Sequence, residues 1–172
     1  IALGRAAASH LWDEGCRRIA YIPGPSLLGS ARRRDGYLET VKAKGPKVYS
    51  RVSPGGDGID AGVNGMKALL ADPVRPDGVF CFNDSVATGA MKVILDAGLR
   101  IPEDIAIVGL GNNLFSEHLR VPLTTIDQHP ATMGLEAAKL MLRLVGTKNA
   151  LAGYQRLLIP ATLIVRRSSQ KS

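Results

Sequence analysis

The chain is poor in aromatic residues and in cysteine, and it has no long apolar run. Aromatic side chains make up 5% of the 172 residues, so we expect an aliphatic core. The two cysteines, Cys16 and Cys81, lie far apart and form no CxxC pair, which gives no disulfide scaffold or zinc module. No apolar run approaches the roughly 18 residues that a membrane helix requires. The sequence therefore predicts a domain without a membrane span.

The composition is that of an ordinary globular domain, with 45% apolar and 22% charged residues. Disorder as the main state is excluded, because it requires low hydrophobicity and a high charge fraction. The net charge is +7, from 22 Lys and Arg against 15 Asp and Glu. The basic clusters at 17–18, 32–34 and 166–167 lack interleaved aromatics. The charge therefore gives only weak support for direct nucleic-acid binding by this chain.

The first residues read as the interior of a longer protein. The chain starts at Ile1, without a methionine and without a signal-peptide pattern. We therefore expect that the sequence is cut in mid-protein and that any targeting signal lies upstream of it.

Helical and strand patterns alternate along the first 110 residues. Helical periodicity covers residues 4–15, 30–44, 59–71 and 84–97, and short apolar runs cover 19–22, 48–52, 78–82 and 105–110. The runs are apolar throughout, which is typical of strands covered on both faces, as in a parallel sheet. The order predicts an open, doubly wound α/β fold.

The regular alternation of helical and strand patterns ends after residue 112. The pattern predicts a short strand over 123–126, an apolar helix over 131–145, a loop over 146–152 and a long strand over 154–165 that Pro160 interrupts. These elements are too few for a domain of their own. We expect them to belong to a second domain whose other strands are missing, which would leave the apolar face of helix 131–145 exposed.

Ligands of open parallel sheets bind outside the carboxyl ends of the strands. This rule selects the loops at 24–33, 53–58, 83–84 and 109–113. Their polar side chains are Ser26, Ser30, Arg32, Arg33, Arg34, Ser53, Asp57, Asn83, Asp84, Asn112 and Asn113. Amides, hydroxyls and few charges among small residues suit a small polar ligand.

Each candidate also has a structural interpretation. Asp84 follows a strand and starts a helix, so it can be an N-cap. Asn83 can satisfy backbone groups at a strand end. Two of the three arginines at 32–34 can form a solvated helix face, and Asp57 can be a turn residue in its Gly-rich loop.

Sequence signatures of catalysis are absent. The sequence contains no GxxxxGK[ST], GxGxxG or GxSxG motif, and His10, His118 and His129 are isolated, without HExxH. Cys81 lies inside an apolar strand and is interpreted as an inert, buried thiol. We therefore predict no enzyme activity, no cofactor and no metal site.

Several motifs in a fixed order resemble one known family. They are FNDSVATGAM at 82–91, AGLRIPEDIAIVG at 97–109, RIAYI at 18–22, PLTTI at 122–126 and LIVR at 163–166. With Arg33, Gly36 and Tyr37 they resemble the LacI/GalR family of bacterial transcriptional regulators over essentially all 172 residues. Each motif is weak alone, and the set in this order is specific.

The resemblance implies an effector domain like a periplasmic binding protein, built of two similar α/β subdomains. Residues 1–125 would be the C-terminal subdomain, 126–158 would return to the N-terminal subdomain, and 159–172 would be a final strand crossing back and a tail. The helix-turn-helix head, the hinge helix and most of the N-terminal subdomain would be absent from this chain.

The resemblance also implies ligand contacts. Asn83 matches an Asn that hydrogen-bonds sugar effectors in some members, and Arg32 or Arg33 lies where an effector-binding Arg is usual. Asp57 falls where an aromatic often stacks on the ligand. Gly111 stands where the family has an Asp, for which Asn112 or Asn113 could substitute. We therefore expect a small polar effector, sugar or sugar-like, at a changed site.

The same resemblance implies a cytoplasmic homodimer that binds operator DNA through its head and responds to the effector by population shift. The helix after Asp84, with Met91, and the segment 112–120 would form the dimer interface. Leu114, Phe115 and Leu119 fit this role, although local packing under a loop is the alternative.

Two other functions stay open. A solute-binding protein of a sugar transport system shares the fold, and an upstream signal peptide would distinguish it from a regulator. An α/β enzyme would require detectable turnover. The stretches RIPEDI at 100–105 and TTI at 124–126 favour the regulator.

Overall fold

A six-stranded sheet is the centre of the computed structural model, which describes residues 1–45, 49–146 and 156–171. The strands are β1 (Arg18–Ile22), β2 (Tyr49–Val52), β3 (Gly78–Cys81), β4 (Ala106–Leu110), β5 (Thr124–Asp127) and β6 (Thr162–Ile164). The helices are α1 (Ala2–Asp13), α2 (Leu28–Ala43), α3 (Gly58–Leu70), α4 (Asp84–Asp96) and α5 (Pro130–Gly146).

The strand order is β2-β1-β3-β4-β5-β6, and every pair is parallel except β5 and β6. The register aligns Ile22 with Cys81 and Leu110 with Ile126. The order reverses between β1 and β3, and helices cover both faces of the sheet. The predicted doubly wound α/β fold is therefore confirmed, and its switch point lies at the carboxyl ends of β1 and β3.

The two faces of the sheet have different cores. Between the sheet and α3 and α4, the core is aliphatic, with Met66, Leu69 and Ile94 fully or almost fully buried. On the face of α1 and α2, the rings of Tyr21 and Phe80 stack with centroids 5.0 Å apart, and Tyr37 packs at 5.6 Å from Tyr21. The expectation of a purely aliphatic core is wrong for this face, because three of the few aromatics are concentrated there.

Element bounds agree with the sequence patterns to within a few residues, except near the end of the chain. The strand predicted over 154–165 is observed only at 162–164, and residues 156–161 form no strand. Pro160 cannot donate to a ladder, which is consistent with a shorter strand. Val48 and residues 147–155, where predictions also fall, lie outside the described residues.

Two residues of the segment after β6, Ser168 and Ser169, are fully buried. The Ser168 hydroxyl donates to the Ile107 carbonyl at 2.8 Å and accepts from the Thr124 backbone N–H at 2.8 Å. The Ser169 hydroxyl lies 2.7 Å from both Thr124 Oγ1 and His10 Nε2. These bonds attach the end of the chain to β4, β5 and α1, so this segment is part of the domain.

Helix α5 stands away from the rest of the domain with an exposed apolar surface. Its exposed large apolar residues are Met133, Leu135, Met141, Leu142, Leu144 and Val145. A mostly apolar open cavity of about 680 Å³ lies between α5, the start of α1 and residues 157–161. The expected exposure of this helix is confirmed. In the part of the chain that is described, no helix is long and apolar enough to cross a membrane.

Reciprocal glycines bring the helices of each layer into backbone contact. A methyl group at Gly62 in α3 would stand 1.9 Å from the Val86 carbonyl oxygen, and one at Gly89 in α4 would stand 2.0 Å from the Ile59 oxygen. On the other face, a methyl group at Gly4 would stand 2.0 Å from the Arg33 carbonyl oxygen. Helix spacing in both layers therefore requires the absence of a side chain.

We expect Gly89→Ala to lower the free energy of unfolding by about 1–3 kcal/mol, because the added methyl group separates α3 from α4. The matched control is Gly134→Ala in α5, where a methyl group has open space and should raise stability by about 0.5–1 kcal/mol. Urea unfolding of the 172-residue chain, in which α5 is exposed, measures both. Equal effects of the two substitutions would contradict the close contact.

Stability should fall as the pH is lowered below about 6.5, because of His10. Burial beside Ser169 lowers the pKa of His10, and the Coulombic effects of Glu14 and Asp13 oppose this only in part. The unfolded chain therefore takes up a proton at a higher pH than the folded chain does. As the pH is lowered from 7.5 to 5, the wild type should lose stability relative to His10→Gln, measured as the difference between their unfolding midpoints. A difference that is independent of pH would refute this role.

Candidate functional site

The loops that follow β1, β3, β4 and β5 meet at one edge of the sheet, because parallel strands end on the same side. They comprise residues 23–27, 82–83, 111–116 and 127–129, and we call this region the carboxyl-edge crevice. It contains several of the residues predicted from sequence, and helix α2 lies beside it.

Arg33 extends from α2 to the residue that follows β3. Its Nη1 donates to the Phe82 carbonyl oxygen at 2.9 Å, and its guanidinium carbon lies 4.4 Å from the centroid of the Phe82 ring. Burial lowers the pKa of Arg33 and the nearby Tyr21 opposes that shift, so water is partly excluded from this cation. Arg32 and Arg34 are exposed. Of the two arginines that the resemblance left open, the structure brings Arg33 to the crevice.

Asn83 is the N-cap of α4. Its Oδ1 accepts a 2.9 Å hydrogen bond from the Val86 backbone N–H. The Asn83 amide nitrogen makes no hydrogen bond to any described residue, so it is available as a donor. The interpretation of Asp84 as the N-cap is wrong, because the helix begins one residue earlier than that role requires and Asn83 has the extended backbone of a cap.

Asp84 is fully buried and binds only the protein. Its carboxylate accepts hydrogen bonds from the Asn113 backbone N–H at 2.8 Å, Ser116 Oγ at 2.7 Å and Thr125 Oγ1 at 2.6 Å. A methyl group at Gly109 would stand 2.4 Å from Asp84 Oδ1, so the glycine admits this carboxylate. Asp84 connects α4 to the loop after β4 and to β5, and therefore positions the crevice.

Asn112 uses both ends of its side chain within the protein. Its Nδ2 donates to Asp127 Oδ2 at 3.1 Å, and its Oδ1 accepts from Arg166 Nη2 at 2.9 Å. Its backbone has a positive φ of 50°, and its N–H donates to Thr125 Oγ1 at 3.2 Å. Asn112 therefore orders the crevice, and its amide is not free for a ligand.

The sequence analysis missed Asp127 and Arg166. Asp127 ends β5, so the rule that selected the other loops would have found it had it been applied to this strand. The hydrogen bond from the His129 backbone N–H lowers the pKa of Asp127, with further contributions from Asn112 and His129. A carboxylate therefore lies beside the crevice although Gly111 supplies none. Arg166 follows the antiparallel strand β6, and no local signal indicated its position.

Ser26 and Asp57 lie farther toward β2. Ser26 is exposed on the loop after β1, where it lines a separate cavity at the start of α2. Asp57 is the exposed N-cap of α3, and its carboxylate accepts from the Gly58 N–H at 2.8 Å. The interpretation of Asp57 as a local turn residue accounts for this contact.

The four residues expected at a dimer interface differ in exposure. Leu114 is 92% exposed and Phe115 42%, whereas Met91 is 4% exposed within the core beneath α4. Leu119 is half-buried and packs against the same core, as its alternative interpretation describes. Only Leu114 and Phe115 present large apolar surfaces to a partner.

Neither cysteine has the environment of a nucleophile. Both are buried and free, and burial raises the pKa of Cys16 to about 11 and raises that of Cys81 further still. Within the described ranges, no group of His, Cys, Asp and Glu side chains could hold a metal ion.

The fold, with its polar loops at the switch point, is that of a periplasmic binding protein-like domain. Residues 8–169 match the family described as periplasmic binding protein-like domain. The chain belongs to this family, in the branch found in LacI-type transcriptional regulators.

Known relatives are regulators. The HTH-type transcriptional regulator CelR of Thermobifida fusca is 35% identical over 168 residues, which are 96% of this chain and 48% of that protein. A solved complex of the transcriptional regulator CelR with cellobiose superposes with a TM-score of 0.86 at 32% identity, over 97% of this chain and 51% of that one. The solved structure of the lac repressor dimer bound to operator and the anti-inducer ONPF superposes with a TM-score of 0.85 at 27% identity. The match covers 98% of this chain and 50% of that one. The chain spans about half the length of the curated relatives it matches.

Asp84→Ala should lower the free energy of unfolding by about 3 kcal/mol or more, because two buried hydroxyls and a part-buried backbone N–H lose their acceptor. Asp84→Asn should also destabilise, since one acceptor oxygen becomes an amide nitrogen that cannot accept a hydrogen bond. The control is Asp96→Asn on the same helix, an exposed partner of Lys92, with an effect within about 0.5 kcal/mol. Urea unfolding measures all three, and a neutral Asp84→Asn would contradict the assigned network.

Proposed function

We propose that this chain is the effector-binding and dimerising part of a LacI-type repressor that senses a small polar ligand, a sugar or sugar derivative. The observation that carries the proposal is that a free donor, Asn83 Nδ2, and the half-buried Arg33 cation both lie at the switch point of the sheet, next to Phe82. Both belong to a chain whose relatives regulate transcription, one of them in a solved complex with cellobiose.

The crevice offers the hydrogen-bonding groups that a polyhydroxylated ligand requires. Sugar hydroxyls both donate and accept, so they bind best where donors and acceptors alternate. Arg33 and Asn83 donate, and Asp127 provides a carboxylate acceptor at the end of β5. The Phe82 ring beneath Arg33 adds an apolar surface to the same region.

The proposed domain organisation follows from the exposed surfaces. We infer that residues 1–125 form the C-terminal subdomain, 126–158 return to the N-terminal one, and 159–172 cross back. The apolar face of α5 would then be covered by the rest of the effector domain in the intact protein. A ligand in the crevice would contact both subdomains and favour their closed arrangement.

The closed arrangement would act on DNA through a dimer. Leu114 and Phe115 supply exposed apolar surface for the partner subunit, next to the region of Met91 and Leu119. The operator-binding head would lie in the half of the protein that this chain does not span, and the protein would work in the cytoplasm. Effector binding and operator binding would then be linked by a coupling free energy.

A thermal-shift screen of the intact protein against sugars, polyols, nucleosides and amino acids tests the function. A ligand at 100 times its Kd should stabilise the protein by about 2.7 kcal/mol. Asn83→Asp should abolish the shift, because it keeps the capping oxygen but replaces the free amide donor with an acceptor. Asn64→Asp is the matched control, since Asn64 is exposed on α3, and it should keep the full shift.

The same ligand should change the affinity of the intact protein for its operator. If a ligand still raises the melting temperature of both Asn83→Asp and Arg33→Gln, its binding site lies elsewhere. The absence of any hit across all four compound classes would overturn the proposed effector site and leave only dimerisation and DNA binding.

A further inference from the structure

Helix α5 is joined to the sheet by two segments that lie side by side. The chain leaves the sheet at the end of β5 and returns through β6, and the antiparallel pairing of these strands aligns Asp127 with Thr162. No side chain over 130–145 is buried, and α5 makes few contacts with the other helices and strands. The direction of α5 relative to the sheet therefore depends on the residues that hold the outgoing and the returning segment.

Asn112 joins a cation and a carboxylate on these two segments. Its Oδ1 accepts from Arg166 Nη2 at 2.9 Å, and its Nδ2 donates to Asp127 Oδ2 at 3.1 Å. Arg166 and Asp127, both within the described ranges, form no direct ion pair. The opposite orientation of the amide would point its N–H groups at the guanidinium and its oxygen at the carboxylate, so the two charges fix its orientation. We call these three side chains the amide relay.

Further hydrogen bonds hold both ends of the amide relay. Arg166 Nη1 donates to the Leu123 carbonyl oxygen at 2.9 Å, and Asp127 Oδ1 accepts from the His129 backbone N–H at 2.7 Å. The side chains of Arg166 and Asp127 are only 16% and 19% exposed, so water competes little for their bonds. Glu117 lies 3.8 Å from Arg166, but it is mostly exposed and therefore a weak competitor of Asn112.

His129 connects the outgoing segment with the returning one. Its Nε2 lies 2.8 Å from Thr162 Oγ1, while its backbone N–H binds Asp127. His129 and Asn112 both have a positive φ, of 52° and 50°. This backbone conformation is unfavourable for a residue with a side chain and persists where the surroundings impose it. The hydrogen bonds of the amide relay and of His129 thus fix three segments: the loop after β4, the outgoing segment and the returning segment.

We propose that Asn112 is a positioning residue and that the amide relay sets the angle at which the two segments to α5 leave the carboxyl-edge crevice. This inference rests on the proposed function where that assigns α5 to the second subdomain, because the relay then sets the angle between the subdomains. Asp127 lies beside the crevice, so one carboxylate serves both this hinge and the proposed effector site.

An exchange of the two side chains tests the amide relay, because aspartate and asparagine have nearly the same shape. Asn112→Asp alone brings a second carboxylate to within about 3 Å of Asp127. Asp127→Asn alone leaves one acceptor oxygen for two donors, the Asn112 amide and the His129 N–H. In Asn112→Asp/Asp127→Asn, the carboxylate accepts from Arg166 and from the amide opposite it, whose oxygen accepts from His129. The double variant thus keeps all three hydrogen bonds and the net charge.

Each single substitution should lower the Tm of the 172-residue chain by about 2–4 °C or more, because a part-buried hydrogen bond is lost. The double variant should recover at least about half of the summed loss. The control is Asn113→Asp/Asp127→Asn, which carries the same charges, but Asn113 is exposed and lies outside the relay. Its two effects should add without recovery. If the effects of the exchange pair also add, or if the double variant fails to fold, the amide relay is refuted.

Spin labels on α2 and α5 then measure the angle itself. Lys42→Cys and Lys139→Cys place labels at exposed positions, and both native cysteines are buried. Pulsed electron double resonance on the 172-residue chain should give one narrow distance distribution. Asp127→Asn should broaden or shift it, and the exchange pair should restore it. A distribution that is broad in the wild type, or unchanged in Asp127→Asn, would show a bond that stabilises the domain without setting the hinge, and would overturn the inference.

Neither measurement uses an effector, so this inference and the proposed function can fail separately. A thermal-shift ligand that requires Asn83 would leave the proposed function intact even if the amide relay were refuted. Conversely, recovery in the exchange pair together with a restored distance distribution would support the hinge even if the screen gave no ligand.

Discussion

The buried carboxylate of Asp84 is the constraint on which the candidate site depends. One side chain accepts from Asn113 and Ser116 in the loop after β4 and from Thr125 in β5, and so fixes two parts of the domain relative to α4. A buried charge is tolerated when it is hydrogen-bonded, and three donors bind this carboxylate. The loop held in this way carries Asn112, whose own bonds position Asp127 and Arg166. The positions of the crevice residues thus depend on one buried carboxylate, that of Asp84.

Some polar residues of the site hold its loops in place, and others keep groups that are free to bind a ligand. The Asp84 carboxylate and both ends of the Asn112 amide are hydrogen-bonded within the protein. Asn83 caps α4 with one end of its amide and keeps the other end free. This division explains how a domain with small polar side chains can present a few fixed donors, since the remaining polar groups hold them in place.

Local sequence patterns predict most elements, because β1, β3 and β4 are short, largely apolar runs and α3 and α4 carry apolar residues at helical spacing. The run over 105–110 and the periodicity over 84–97 match β4 and α4 to within a residue or two. Pairing across the chain carries no such signal, so the contact of Arg166 with Asn112 could not be foreseen. A shift of one residue decides whether Asn83 or Asp84 caps α4, and periodicity does not resolve single residues. Composition gives an average, so it also missed the aromatic cluster on one face of the sheet.

The contact of Gly4 with the Arg33 carbonyl has a consequence for how a domain of this kind can diverge. Helix α1 does not line the crevice, but its contact with α2 sets the position of the helix turn that carries the Arg33 guanidinium. A change of residue size along the α1–α2 contact would therefore displace the cation. The geometry of the crevice can thus change through residues that do not line it.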